Sequence, residues 1–556
     1  NINIPTLCFL KDINQIGACR MCLVEVKGAR ALQASCVLPV SEGMEISTNT
    51  PSLRETRKTI MELILSNHNR ECTICVRSQN CELQSLARQL GIKEIWFNTE
   101  PFETSVDSLS PSIIRDQSKC ILCRRCVAVC HDVQGVGVIQ ATNRGFHTTI
   151  EPAFGLSLSE VACINCGQCI QACPVAALRE KDDTEKVWEA LEDPDLHVVV
   201  QTAPAVRVAL GEEFNMEPGG IVTGKMVKAL KMLGFAKVFD TDFAADLTIM
   251  EEGTELISRI KNGGELPVIT SCSPGWVKFL ESYYPDFIDN LSTCKSPQQM
   301  MGAVLKTYYA EKAQIHPSKV FVVSVMPCTA KKYECSRPEM NSSGYKDVDV
   351  VITTRELALM MKQSNIDFRH LDDEEFDSPL GEGTGAAVIF GATGGVSEAA
   401  LRTVAELLTG QEINNVEYQA VRGIEDVKEA RIMIGDLEVK AAVVHGTANA
   451  RKILDRIRAG EADYHFLEIM ACPGGCVTGG GQPIRTAEEK IDTDFRIVRA
   501  QAIYQADKQH KIRKSHENPE IKKIYEEFLG SPNSNKAHEL LHTHYFKRDL
   551  YTTTKS

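Results

Sequence analysis

Beyond residue 184, short apolar runs rich in β-branched residues alternate with stretches of helical spacing. The runs are HVVVQT (197–202), KVFDTD (237–242), LPVIT (266–270), VFVVSV (320–325), DVVITT (349–354), AAVVHG (441–446) and HFLEIM (465–470). Near-continuous apolar runs of this length predict strands buried on both faces, in parallel sheets covered by helices. Earlier in the chain, RKTIMELILSNH (57–68) has the spacing of an amphipathic helix. After residue 497, KSHENPEIKKIYEEFLG and HELLHTHYFKRDL again mix charged and apolar residues at helical intervals. The expected fold class is α+β and α/β, multidomain, with small N-terminal domains ahead of a two-lobed α/β body.

With 556 residues the chain exceeds what one hydrophobic core supports, about 250–300 residues. The apolar share of 43% is that of a globular protein. A formal charge of −13 argues against nucleic acid as a partner, which calls for basic stripes. No apolar run reaches the roughly 20 residues of a membrane helix, and NINIPTLCFLKD lacks the basic flank and apolar core of a signal peptide. The cysteine count, 21, is odd, which disfavours a disulfide framework. A reducing, cytoplasmic and anaerobic setting is expected.

Fifteen of the 21 cysteines precede residue 174. The densest groups are Cys120-x2-Cys123-x2-Cys126-x3-Cys130 and Cys163-x2-Cys166-x2-Cys169-x3-Cys173-Pro174. This is the bacterial ferredoxin spacing for two 4Fe–4S clusters, in which the fourth cysteine of each run serves the other cluster. Cys120, Cys123, Cys126 and Cys173 are therefore assigned to one cluster, and Cys163, Cys166, Cys169 and Cys130 to the second. His68-x3-Cys72-x2-Cys75-x5-Cys81 follows the amphipathic helix. Such a set suits either zinc or a 4Fe–4S cluster with one histidine ligand, and the flanking ferredoxin runs favour the cluster. The first group, Cys8-x10-Cys19-x2-Cys22-x13-Cys36, has Gly17 and Gly28 nearby, where a loop must bend tightly. It resembles the 2Fe–2S ferredoxin domain at the front of complex I-type and hydrogenase subunits, apparently clipped at its start.

In the α/β body, three loops rich in Cys, Pro and Gly follow predicted strands: Thr270–Trp276, Met326–Glu334 and Glu468–Pro483. Sites in such folds lie beyond the carboxyl ends of strands. Cysteines from these loops can converge on one metal centre, while glycines let backbone approach closely. Buried structural thiols are the plainer reading for any one of them. Cys294 and Cys335 fit no cluster motif and read as free thiols.

The three loops resemble the signature segments of the iron–iron (FeFe) hydrogenases, and the cysteine groups before them resemble the wiring of the clostridial type with four accessory clusters. The resemblance implies an H-cluster, a 4Fe–4S cluster bridged to a di-iron unit with CO, cyanide and azadithiolate. It also implies three accessory 4Fe–4S clusters and one 2Fe–2S cluster. By motif, Cys328, Cys472 and Cys476 match H-cluster ligands, with Cys476 the bridge. Lys331 matches the lysine that hydrogen-bonds an iron cyanide, and Pro204, Ala205, Met326, Gln298 and Met470 match pocket-lining positions.

Most relatives carry two adjacent cysteines in the first loop; here the pair reads Cys272-Ser273. Position-by-position transfer makes Cys272 the proton donor and puts Ser273 in the ligand slot. The alternative is that Cys272 turns to iron and the thiol relay is lost. The resemblance supplies a proton path through Cys272, Glu252, Ser292, Glu255 and Arg259. Glu255 and Arg259 share a helical face, so a solvated i, i+4 ion pair is the plain alternative.

The implied activity is 2H⁺ + 2e⁻ ⇌ H₂, with ferredoxin as electron partner and maturation proteins supplying the cofactor. Further subunits are compatible with it. Two rivals are an H₂-reacting subunit of an NAD(H)-coupled multimer and a hydrogen sensor. No G-x-G-x-x-G follows a predicted strand, so a nicotinamide or flavin site is expected on another chain. The expected organisation is a 2Fe–2S domain (1–52), a His-Cys₃ 4Fe–4S domain (53–112), a two-cluster ferredoxin domain (113–183), an H-cluster domain (184–496) and a small-subunit-like segment (497–556).

Overall fold

The computed structural model describes residues 2–97, 105–412, 416–435 and 437–552. Residues 98–104, within the span expected for the His-Cys₃ domain, lie outside the described residues, as does Asn1.

The chain opens with a three-stranded antiparallel sheet in the order Gln33–Ala34, Leu23–Val26, Ile46–Ser47. Helix Pro51–Ser66 follows, six residues longer at its start than the apolar spacing alone indicates. Its start is fixed by Thr50, whose hydroxyl accepts from the Leu53 N–H (3.2 Å), and by Pro51 in the first turn. Buried Arg57 donates from this helix to the Leu23 carbonyl at 2.6 Å and so ties helix to sheet.

The two ferredoxin runs sit beside a sheet in the order Val106–Asp107, Ile113–Asp116, Leu178–Glu180. Each run turns through two left-handed residues before a short helix. These are Leu122 (φ 55°) and Arg124 (φ 60°) in the first, Asn165 (φ 56°) and Gly167 (φ 68°) in the second. The repeat wraps backbone around a centre in the same way twice.

The body has two lobes, each built on a four-stranded sheet. The first is wholly parallel, in the order Lys237–Asp240, His197–Thr202, Val320–Met326, Val350–Thr353. The second runs Val268–Ile269, Phe466–Met470, Leu437–His445, Val427–Ile434, with only the last pair antiparallel. Helix Thr241–Asn262 packs on Pro297–Val304 and on Gly395–Thr409, joining the lobes.

The C-terminal segment is part of this body. Ile521, Ile524, Tyr525, Leu529, Leu540 and Leu541 pack into the apolar core of the first lobe. Further on, the Thr543 N–H donates to the Thr293 carbonyl (2.8 Å) and the Thr552 N–H to the Glu160 carbonyl (2.9 Å). Tyr551 bridges Val161 of the ferredoxin domain. The segment thus runs from the two α/β lobes back to the domain of the paired cysteine runs. Among the described residues, no helix is long and apolar enough to cross a membrane.

Candidate active site

The strand ends of the two lobes face one cavity of about 80 Å³. Ala203, Pro204 and Ala205 reach it after His197–Thr202; Met326 and Cys328 from the end of Val320–Met326; Cys272 and Ser273 after Val268–Ile269. Met470, Cys472 and Cys476 arrive after Phe466–Met470, and Gln298 and Lys331 complete the expected lining. All five expected pocket positions and every expected thiol or hydroxyl of the centre therefore share this one space. Thr241 and Phe390 also line it, neither of which the spacing of the motifs had flagged.

The glycines of the third loop make the enclosure tight. A β-carbon on Gly475 would come within 2.6 Å of the Thr393 nitrogen, and one on Gly481 within 2.8 Å of the Thr353 side chain. Burial pushes the thiols up, Cys476 to about 12, with Cys328 adding to the effect on both Cys472 and Cys476. Such thiols stay neutral until a metal displaces their protons. Lys331 is mostly buried; its ammonium donates to the Cys272 carbonyl (3.1 Å) and to Glu334 Oε2 (3.0 Å). Gln298 Nε2 also reaches Glu334 (3.1 Å), while its oxygen accepts from Ser324 (3.1 Å). Glu334, unflagged by the motif reading, thus fixes both cavity-lining groups.

Cys272 and Ser273 face different neighbours. After burial, the charge that most raises the Cys272 thiol is Glu252, followed by Cys476. Ser273 Oγ accepts from the Ala471 N–H at 3.3 Å, beside Cys472.

From Cys272 a line of polar groups leads outward. Glu252 is 2% exposed, and its Oε2 has no partner among the described residues. Burial, then Glu255, pushes its carboxyl up to about 8, so it is protonated at neutral pH. Ser292, wholly buried, donates to Glu255 Oε2 (2.7 Å), and Arg259 donates to Glu255 Oε1 (2.5 Å). The side chains of Glu255 and Arg259 are 12% and 15% exposed, so this is not a solvated surface pair. Cys294 and Cys335 are both buried.

Two smaller cavities lie in the ferredoxin domain. Cys120, Cys123, Cys126 and Cys173 line one of about 20 Å³; Cys130, Cys163, Cys166 and Cys169 line the other, about 30 Å³. Ile139 and Leu178 border both. Cys166 also lines the large cavity, where burial and then Cys472 push its thiol well up. Gln168 Nε2 donates across this junction to the Thr478 carbonyl (2.9 Å).

Both outer cysteine groups abut the first ferredoxin cavity. Cys8 lies against Cys19, and Cys36 against Cys22. Asn14 Nδ2 donates to the carbonyls of Cys8 (2.7 Å) and Cys123 (3.1 Å). In the other group, Arg77 donates to the Cys173 carbonyl at 3.2 Å. His68 Nδ1 is buried without a partner among the described residues, and burial holds the ring neutral, at about 4. Cys72, Cys75 and Cys81 follow it, with Cys75 acting on Cys81. Zinc thiolates at about 2.3 Å from one ion stand close together. Among the described residues, only Glu406, His516 and Glu517 show single-ion spacing, and no cysteine group does. All the cysteines are free of disulfides.

Comparison with known proteins agrees with this geometry. Residues 196–480 match the iron only hydrogenase large subunit, C-terminal domain, and residues 493–548 the iron hydrogenase small subunit. Residues 1–51 match a 2Fe–2S cluster binding domain, 57–95 the NADH-ubiquinone oxidoreductase-G iron–sulfur binding region, and 119–184 a 4Fe–4S dicluster domain. The NADP-reducing hydrogenase subunit HndD of Solidesulfovibrio fructosivorans is 51% identical, over 99% of this chain and 95% of its own. Iron hydrogenase 1 of Clostridium pasteurianum is 44% identical, over 98% of this chain and 96% of its own. A solved variant of the [FeFe]-hydrogenase HydA1 from Chlamydomonas reinhardtii superposes with a TM-score of 0.59 at 41% identity. That match covers 66% of this chain and 99% of HydA1. Taken with a thiol-lined cavity between two α/β lobes and iron–sulfur domains leading up to it, these matches establish that the chain belongs to the iron-only (FeFe) hydrogenases, oxidoreductases acting on H₂.

Proposed function

We propose that this hydrogenase catalyses 2H⁺ + 2e⁻ ⇌ H₂ in the cytoplasm, exchanging electrons with ferredoxin through three accessory 4Fe–4S clusters and one 2Fe–2S cluster. The observation that carries this reading is the meeting of Cys328, Cys472 and Cys476 in one cavity with Cys272 and Cys166 on its wall. The cavity, at about 80 Å³, is larger than the 20 and 30 Å³ of the ferredoxin cavities, in keeping with a larger group. When bound, the H-cluster supplies the redox-active iron at which protons and electrons combine. Cys328, Cys472, Cys476 and Ser273 would hold its cubane, with Cys476 the bridge to the di-iron unit. Maturation proteins deliver that unit.

Each remaining residue has a role that its surroundings support. Lys331, held by Glu334 and the Cys272 carbonyl, offers a buried cation to an anionic ligand. Pro204, Ala205, Met326 and Met470 keep the pocket apolar and dry. The Cys272 thiol carries protons between the cavity and Glu252, and Ser292, Glu255 and Arg259 carry them to the surface. Glu252, protonated at neutral pH, is poised to give as well as take a proton.

Electrons reach the first ferredoxin centre (Cys120, Cys123, Cys126, Cys173) by two branches. One is the 2Fe–2S centre of Cys8, Cys19, Cys22 and Cys36; the other is the centre of His68, Cys72, Cys75 and Cys81. The second ferredoxin centre (Cys130, Cys163, Cys166, Cys169) then adjoins the active site.

A second reading, a subunit of an NADP-coupled assembly, is favoured by the 51% identity to HndD, which is named as such a subunit. The primary test is maturation of the chain followed by infrared spectroscopy and hydrogen evolution with reduced viologen. CO and cyanide bands with evolution are expected; their absence in protein with its full iron complement overturns the reading. Reduction by NADPH only alongside copurifying subunits identifies the second.

A further inference from the structure

A group of titratable side chains from the C-terminal segment stands against the relay helix and has no part in the path above. His538 lies on helix Asn535–Leu541, and His542 follows directly after it. Their rings stack face to face, centroids 4.3 Å apart and planes within 6°. His538 is exposed and His542 buried. His542 Nε2 meets Glu251 Oε2 at 3.1 Å, and its Nδ1 meets the Thr293 hydroxyl at 2.8 Å.

Glu251 is fully buried and precedes the relay residue Glu252 in the same helix. It also accepts from the Tyr525 hydroxyl and from the Asn533 N–H (2.8 Å). With its amide oxygen and nitrogen exchanged, the Asn533 side chain donates to Glu251 Oε2 (2.8 Å) and accepts from the Glu255 N–H (3.2 Å). Both Glu255 and Glu251 act electrostatically on His538, as do His542 and His544. The buried Cys294 thiol lies within reach of Glu251, Glu252 and Glu255. Arg259 closes the outer side of Glu255.

Resting on the relay reading above, we propose that the stacked His538–His542 pair is a proton-loading station for Glu255, with exposed His538 as its contact with solvent. The need follows from supply. At pH 7, hydronium at about 10⁻⁷ M and a diffusion limit of about 10¹⁰ M⁻¹ s⁻¹ deliver about 10³ protons per second to a lone site. That is the upper end of ordinary turnover numbers, about 10³ s⁻¹. An exposed imidazole exchanges protons with buffer as well as hydronium, and burial followed by His542 lowers the His538 value, so it gives its proton up readily. Stacking against His542, itself bound to Glu251, keeps His538 in that place.

The test uses the matured full chain, with hydrogen evolution followed from about pH 6 to pH 9 in dilute buffer and with added imidazole. His538→Gln is expected to lose about threefold or more of the rate above neutral pH and much less at the acid end. Imidazole restores it, while the thermal midpoint and infrared bands stay those of the unaltered protein. A His538→Gln profile matching the parent, while Glu255→Gln loses activity, overturns the proposal and leaves the relay standing. A pH-independent loss that imidazole does not repair also overturns it, marking the pair as structural. If Glu255→Gln is itself unaffected, the relay reading falls and the loading station with it.

Discussion

The Thr329 hydroxyl donates to the Asn165 carbonyl at 2.7 Å, joining the loop that carries Cys328 to the loop between Cys163 and Cys166. The two loops meet with no room to spare, and Gly167 is why. Its φ of +68° is left-handed, and a β-carbon there would meet the Thr329 side chain and the Gly480 Cα at 3.0 Å.

Gly167→Ala is therefore expected to strain the backbone by about 1–2 kcal/mol and to push the ferredoxin domain off the catalytic lobes. Thermal unfolding should shift down. Rapid-mixing reduction should show the accessory clusters filling normally while hydrogen evolution lags. Parent-like kinetics would contradict the claim that this junction carries the electrons.

Glu252→Gln should reduce hydrogen evolution by about 10²–10⁴-fold with iron content unchanged. The unaltered protein should lose rate as pH rises through about 8, where the Glu252 carboxyl gives up its proton. Below that pH the carboxyl is charged with a proton and donates. The variant's residual rate should lack this step. Full activity in the Glu252→Gln variant would remove Glu252 from the path.

Ser273→Cys should strengthen the hold on the cubane, since a thiolate is the softer ligand for iron. Iron loss to a chelator is expected to slow by about tenfold or more, with a changed electron paramagnetic resonance signal from that cluster. Unchanged retention and spectrum would mean that Ser273 does not bind iron and that Cys272 has taken its place.

The C-terminal helix Phe495–Gln509 is anchored by buried Asp507, which takes two bonds from Arg402 (3.0 and 2.9 Å) and is flanked by Arg513. Hydrogen bonds from Arg513 and Arg402 outweigh burial and hold its carboxyl down at about 2, below the ordinary 3.8. The stabilisation is thus complete above about pH 4 and is lost as pH falls toward 2. Asp507→Asn leaves Arg402 buried with a weakened partner set and is expected to destabilise by about 3–5 kcal/mol at neutral pH. Thermal melts of parent and variant should converge as pH is lowered. A gap that persists at about pH 2 at its neutral-pH size would contradict the assignment.

Much of this was legible before any coordinates. The seven β-branched runs all became strands, because they are short, near-continuously apolar and rich in residues that fit a pleated sheet better than a helix. The edge strand Val427–Ile434 escaped notice because KEARIMI alternates buried and exposed positions and carries charges. Helix Gly395–Thr409 was hidden by its glycine-rich start. There, Glu468 accepts from the Gly394 and Ser397 N–H groups (2.6 and 2.7 Å), a buried cap supplied from a strand more than 70 residues away. Cys166 was legible as a ferredoxin thiol but not as a wall of the catalytic cavity, since that contact joins it to Cys472 and Cys476, about 300 residues further along. The spacing of the charged tail likewise showed helices, not that Leu540 and Leu541 would complete a distant core.

The tail's path has a consequence of its own. Its closing residues pin Val161 of the wiring while Thr543 pins Thr293 beside the proton route. One stretch, following every ligand-bearing loop in the sequence, thus clamps both conduits. Loss of that one stretch would free both leads at once, the electron route and the proton route together.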